Sequence, residues 1–219
     1  MSMWEGENKM ILLLTILCFL SGSLMFSYWL GLLKKKNITE VGDGNPGAAN
    51  LWKAAGYKYG LTGIFLDFMK GYIPIVLIKE WEMAQNYQFI PIALAPIYGH
   101  AFSPFMKGRG GKSIAVSFGV WSGLTEFRAS FMYAVILAVL AVITKWMKKG
   151  NPVTSEEDGF QTTLGMLFLY IYFYHQTYPA YIQWIWLGNF LLLFHKNKRG
   201  IILIIKNKRM KKEEKHYTV

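Results

Sequence analysis

Two short loops carry the residues of this chain best suited to handling an anion. The first, EVGDGNPGAAN from Glu40 to Asn50, sets Gly42, Gly44 and Gly47 around Asp43, Asn45 and Asn50, with Lys53 close behind. Glycines at that density let backbone N–H groups turn inward and approach an anion, and asparagine amides donate beside them. The same residue types are also what a plain turn requires. The second loop, KGRGGKS from Lys107 to Ser113, places Lys107, Arg109 and Lys112 among Gly108, Gly110 and Gly111, just ahead of a short apolar segment. Backbone donors at a helix N-terminus, reinforced by Arg109 and Lys112, make a site for a phosphate group. It shares residue types with a nucleotide-binding P-loop but has neither the spacing nor a preceding strand. Positive anchoring at a membrane surface uses the same cations. Both loops on one face would suit a substrate with one or two phosphates and a lipid-soluble tail.

Other polar residues are weaker candidates. Asp67 and Lys70 share one helix face at i, i+3 spacing inside an apolar segment, where charges are costly unless paired, so a structural ion pair is expected there. His100, in YGHAFSPF, reads as a base or as a packed helix histidine, and the second is the commoner case. His175 falls in a turn at the opposite membrane face, and His195 at the inner end of the last apolar segment. Metal-ligand spacing, a dinucleotide fingerprint and a Ser/His/Asp arrangement do not stand out, and a cofactor is not implied.

The elements that must position these loops are membrane helices. With 53% hydrophobic residues, the 219-residue chain is too apolar for an ordinary water-soluble domain. Its formal charge of +11 sits in clusters between apolar blocks, a pattern of cytoplasmic loops and not of a nucleic-acid surface. Cys18, the single cysteine, lies inside an apolar run, so no disulfide framework is available. A bilayer core asks for about 20 apolar helical residues. Met10 to Leu33, Gly60 to Ile78, Tyr87 to Met106 and Ala129 to Met147 meet that length, and the first shows no convincing cleavage site, so it is expected to be retained. Phe160 to Tyr174 and Pro179 to Phe194 form two more, and Ser113 to Leu124 has the length of a half-helix.

Counting that short piece as a crossing places nearly all Lys and Arg on one side, as the positive-inside rule demands. The expected fold is therefore all-α and polytopic, with about seven transmembrane or half-spanning helices, the N-terminus outside and the C-terminus cytoplasmic. Residues 1–195 are expected to form one integral-membrane domain and 196–219 a basic cytoplasmic tail drawn to anionic lipid headgroups. The loop from Lys148 to Gly159 is polar, with an acidic patch at Glu156, Glu157 and Asp158. No internal repeat supports an inverted-repeat transporter.

The order of these pieces resembles a known family, the bacterial acyl-phosphate:glycerol-3-phosphate acyltransferases (PlsY). The likeness runs through GSLMFSYWLG from Gly22 to Gly31 and GDGNPGAANLWKAAG from Gly42 to Gly56. It continues through LDFMKGYIP from Leu66 to Pro74 to GHAFSPFMKGRGGKS from Gly99 to Ser113, and more loosely the last span followed by HKNKR. The resemblance implies transfer of a fatty acyl group from acyl phosphate to glycerol 3-phosphate, giving lysophosphatidic acid at the cytoplasmic face of the cell membrane. Acyl phosphate is already activated, so positioning and electrostatics supply most of the acceleration. By the same likeness Lys112 binds phosphate, Asn45 and Asn50 orient substrate, and His195 is the nearest match to a catalytic C-terminal histidine. Gly44, Lys53, Arg109, Gly110 and Gly111 complete the expected phosphate-binding set. Asp43 stands where the family's G-S-G-N motif has serine, and a carboxylate there is expected to act as a base. Lys53 replaces an arginine, keeping charge without the bidentate fork. Ala49 replaces a threonine, and the family's third motif is not recognisable in KKGNPVTSEEDGF. Two other readings stay open: a family member without the reaction that binds phosphorylated lipid or a partner, and a small membrane transporter.

Overall fold

The computed structural model describes residues 3–217. Among them are nine α-helices, three short 3-10 turns and no strand. The helices are α1 (Met3–Ser23), α2 (Phe26–Leu33), α3 (Ala48–Ala55), α4 (Tyr57–Glu80), α5 (Phe89–Ala101), α6 (Ile114–Thr125), α7 (Arg128–Met147), α8 (Ser155–His175) and α9 (Ala180–Tyr217). An all-helical arrangement is what a hydrocarbon solvent selects, because every backbone polar group finds its partner within its own segment.

Among the described residues, four stretches are long and apolar enough to cross a membrane: Glu5–Leu33, Tyr57–Glu80, Asn86–Met106 and Arg128–Met147. Large apolar side chains stand outward along them, among them Leu12, Leu13, Phe65, Phe131 and Val142, as a surface facing lipid requires. The expected single span from Met10 to Leu33 is two helices, broken at Leu24 and Met25. The break follows Ser21, Gly22 and Ser23, poor helix formers, and the freed Leu24 carbonyl accepts a hydrogen bond from the Lys70 ammonium.

Helix α6 is short for a physical reason: left-handed residues stand at both of its ends, Ser113 (φ 61°) before it and Glu126 (φ 51°) after it. Its 12 residues rise about 18 Å, well under the roughly 30 Å of a bilayer core. At the junction of α3 and α4 the chain turns on Gly56, whose φ of 86° favours glycine.

Close packing joins α4 to α6, α1 to α5 and α8 to α9. A Cβ added to Gly119 would lie 2.1 Å from the Phe68 carbonyl oxygen, and one on Gly22 2.1 Å from that of Pro96, so these helix pairs touch backbone to backbone. Small residues serve this purpose in lipid, where apolar burial gives little drive for helices to associate. Polar ties add direction: the Trp121 indole donates to Asn189 Oδ1 at 2.9 Å, and Asn189 donates to Ser117 at 2.9 Å, linking α6 to α9. Helix α9 does not stop at the expected tail boundary near His195; it continues to Tyr217, through lysine, arginine and glutamate that are good helix formers.

Candidate active site

The two anion-handling loops are brought together, and a third joins them. Lys112, immediately before α6, extends its ammonium to 2.9 Å from Asp43 Oδ2 in the loop ahead of α3. It also donates to the Ser155 hydroxyl at 2.9 Å, at the first residue of α8. Ser155 Oγ in turn donates to Asp43 Oδ2 at 2.6 Å. On the other carboxylate oxygen, the Asn50 amide donates at 2.9 Å and the Asn45 backbone N–H at 3.2 Å. One carboxylate is thus gripped from three elements, and its side chain keeps 24% of its exposure.

Local chemistry explains each placement. The Asn45 N–H folding back on Asp43 is an Asx turn. Gly42 has no Cβ because one would meet Asn50 Oδ1 at 2.5 Å and Lys53 Nζ at 3.2 Å. Ser155 is set by a capping box, in which Thr154 Oγ1 accepts from the Glu157 N–H and Glu157 accepts from the Thr154 N–H. Lys148 pins Glu157 from behind at 2.6 Å.

Electrostatics follow the geometry. Partial burial works to raise the Asp43 carboxyl. Hydrogen bonds from Ser155 and Lys112, the Lys112 charge and the Asn45 N–H outweigh it and hold the group well below the usual carboxylate range. Asp158, one turn into α8, is pushed up by burial, against the pull of Lys112 and Lys53 and with a small push from Glu157 and Asp43. The site therefore holds one firmly ionised carboxylate and one reluctant one.

These groups form one wall of a cavity of about 780 Å³ whose remaining wall is largely apolar, including Ile64, Phe68, Ile114 and Phe118. A smaller cavity of about 170 Å³ shares Asp43, Lys112 and Ser155 and is otherwise lined by Glu156, Lys196, Asn197, Arg199 and Gly200. Asp67 and His100 also border the larger cavity. Behind them Lys70 lies 2.7 Å from Asp67 Oδ1 and 2.7 Å from His100 Nδ1, while the Ser27 hydroxyl donates to Asp67 Oδ2 at 2.7 Å. The ion pair expected within α4 is present, and it extends into a buried cluster with the histidine of α5.

Of the residues expected from sequence, Asp43, Asn45, Asn50, Lys53 and Lys112 line the larger cavity. Gly44 does not; its N–H closes a turn on the Val41 carbonyl at 3.1 Å. Gly110 and Gly111 do not offer their N–H groups to the cavity either. They donate to the Ala101 and His100 carbonyls at 3.1 and 3.0 Å, satisfying the last turn of α5, and the absent side chains permit that approach. Arg109 is exposed and lines neither cavity. His195 is also outside both: it is exposed, its ring 6.0 Å from that of Phe102. Successive residues of a helix point about 100° apart, and in α9 it is Lys196 and Asn197 that turn toward the site. Lys196 donates to the Ala101 and Gly110 carbonyls at 3.0 and 3.1 Å. Sequence reasoning did not single out Ser155, Lys196 or Asn197. The Thr154-to-Glu157 capping pattern was the available signal for the first.

Comparison with known proteins agrees in one direction. The profile of a family described as glycerol-3-phosphate acyltransferase matches residues 12–206. Glycerol-3-phosphate acyltransferase 1 of Thermotoga maritima is 37% identical over 184 residues, covering 82% of this chain and 90% of that protein. The glycerol-3-phosphate acyltransferase of Aquifex aeolicus is 34% identical over 128 residues, 58% of this chain and 67% of that one. A crystal structure of PlsY (YgiH), an integral membrane glycerol 3-phosphate acyltransferase in its glycerol 3-phosphate form, has a TM-score of 0.77 at 23% identity, covering 90% of this chain and 92% of that one. At that identity the likeness is one of fold, integral-membrane and all-helical.

Proposed function

The chain belongs to the glycerol-3-phosphate acyltransferase family, and from that premise we propose that its larger cavity transfers a fatty acyl group from acyl phosphate to glycerol 3-phosphate, yielding lysophosphatidic acid. The observation that carries this reading is the composition of the cavity wall, with Lys112 and Lys53 on one side and apolar side chains of α4 and α6 on the other. A donor with a phosphate head and a hydrocarbon tail matches both. In the reaction the acceptor hydroxyl oxygen attacks the acyl carbonyl carbon, the anhydride C–O bond breaks, and inorganic phosphate leaves. The hydroxyl proton passes to Asp43, the carboxylate that stands at the cationic wall. Lys112 and Lys53 neutralise phosphate charge, and the Asn45 backbone N–H and the Asn50 side-chain amide hold the loop that presents Asp43. Most of the acceleration comes from holding two reactants in reach and from fixed charge, not from a covalent intermediate.

The reaction is placed at the cytoplasmic face of the cell membrane, with the N-terminus outside and about seven transmembrane or half-spanning segments; the support is the crowding of Lys and Arg into the loops on the side of Lys112. The deciding experiment supplies purified protein, in detergent or lipid, with acyl phosphate and glycerol 3-phosphate and measures lysophosphatidic acid. Wild type is expected to form product, and Lys112→Ala to lose about a hundredfold or more in rate, the scale for removing one fixed charge-stabilising donor. Wild type without product above background would overturn the reading.

A further inference from the structure

Lys112 is the cation best placed for a substrate phosphate, yet it is already engaged. Asp43 presents two oxygens to Lys112, Ser155, Asn50 and the Asn45 N–H, a donor set of the kind that receives a phosphate. We propose that Asp43 is an internal anion that fills the phosphate seat on Lys112 and Ser155 while the site is empty, and that an incoming substrate phosphate must displace it.

Three observations carry this. First, the contact is made by side chains from separate loops, Ser155 lying 112 positions along the chain from Asp43, so the carboxylate works as a clasp between elements and not as a local turn alone. Second, Asp43, Lys112 and Ser155 line both the larger cavity and the smaller one. The clasp is therefore the partition between an apolar-walled chamber and a basic chamber that holds Lys196 and Arg199. Releasing it joins the two, as a reaction between a greasy phosphate donor and a water-borne phosphate acceptor needs. Third, glycines flank the carboxylate and a second cation stands near it. Asp43 sits on a loop with Gly42 and Gly44 at positive φ on either side, and Lys53 approaches the Gly42 backbone from α3. The charged groups around the clasp are Lys53 from α3, Lys112 ahead of α6, Glu156 and Asp158 from α8, and Lys196 and Arg199 from α9. Displacement exchanges one anion on Lys112 for another, so no cation is left unpaired. It also frees the carboxylate from its strongest counter-charge at the moment when a hydroxyl arrives. The inference rests on the reading above that phosphates bind at Lys112.

The test measures inorganic phosphate binding by calorimetry to full-length protein in detergent: wild type, Asp43→Asn, Asp43→Ser and the charge-keeping Asp43→Glu. A closed state that outweighs the open one by about ten to one lowers apparent affinity about tenfold. Asp43→Asn and Asp43→Ser are therefore expected to bind phosphate about tenfold more tightly than wild type, and Asp43→Glu no more tightly than wild type. Unchanged or weaker binding in whichever neutral variant is folded at the assay temperature, as its melting curve shows, overturns the proposal. So does a tenfold gain in Asp43→Glu, the arm that remains if neither neutral variant folds. Acyl transfer by the same wild-type preparation separates the two ideas. Turnover without a gain in phosphate affinity removes the clasp and leaves the reaction. A gain without wild-type turnover removes the reaction and leaves the clasp.

Discussion

Asp43 is the residue at which charge, geometry and chemistry meet. Its carboxylate is ionised because Lys112 and Ser155 hold it so, against the cost of partial burial. A carboxylate whose folded value is depressed stabilises the fold fully above its unfolded value of about 4 and loses that contribution as the pH falls through the folded value. Wild type and Asp43→Asn are accordingly expected to differ in melting temperature by a constant amount from about pH 8 to about pH 5, with the gap narrowing only below about pH 4. Melting curves collected across that series check it, and a gap closing near neutrality would contradict the ion pair. The two glycines ahead of Lys112 serve a different need. Gly110 and Gly111 look like phosphate-cradling glycines in sequence because density of glycine is the signature of both an anion nest and a tight backbone approach. The carbonyls at the end of α5 needed donors, and that need claimed the two N–H groups.

At the scale of elements, the first turn of α8 is what sequence patterning revealed least. Packing of α8 on α9 brings Ser155 toward the site, with Gly159 so close to Asn197 that a Cβ would lie 2.4 Å from its side-chain oxygen. A contact spanning that much chain has no local signature, whereas the i, i+3 spacing of Asp67 and Lys70 did announce their pairing. The placement of His195 outside both cavities has a related cause: in a continuous helix a shift of one residue swings a side chain to another face, and order along the chain does not fix rotation. The capping box is the device that holds Ser155 in place. Thr154→Ala is expected to cost about 1 kcal/mol locally and to speed amide hydrogen exchange over residues 155–158 about fivefold relative to the middle of α8. Exchange unchanged in that turn would show that packing on α9, not the cap, positions the serine.

At the scale of the molecule, composition and charge clustering were enough to indicate an all-helical membrane protein, because 53% hydrophobic residues leave few other ways to satisfy the backbone in lipid. The helix breaks were less legible, since Leu24 and Met25 are apolar and carry no punctuation of their own. Sidedness is open to direct measurement. Cysteines placed at Gly44 and Gly108, in a Cys18→Ala background, are expected to react with a membrane-impermeant maleimide from the same side, the cytoplasmic one. Labelling from opposite sides would dismantle a site built from both loops.

The Lys70 ammonium acts beyond its own helix. It reaches from α4 to the Leu24 carbonyl, the point where the first membrane segment changes direction, and α2 then delivers the chain to the loop bearing Asp43. A rivet sunk in the greasy interior thereby sets where the water-facing headland begins. The anchorage of that headland thus lies outside it, in a residue that touches none of its own.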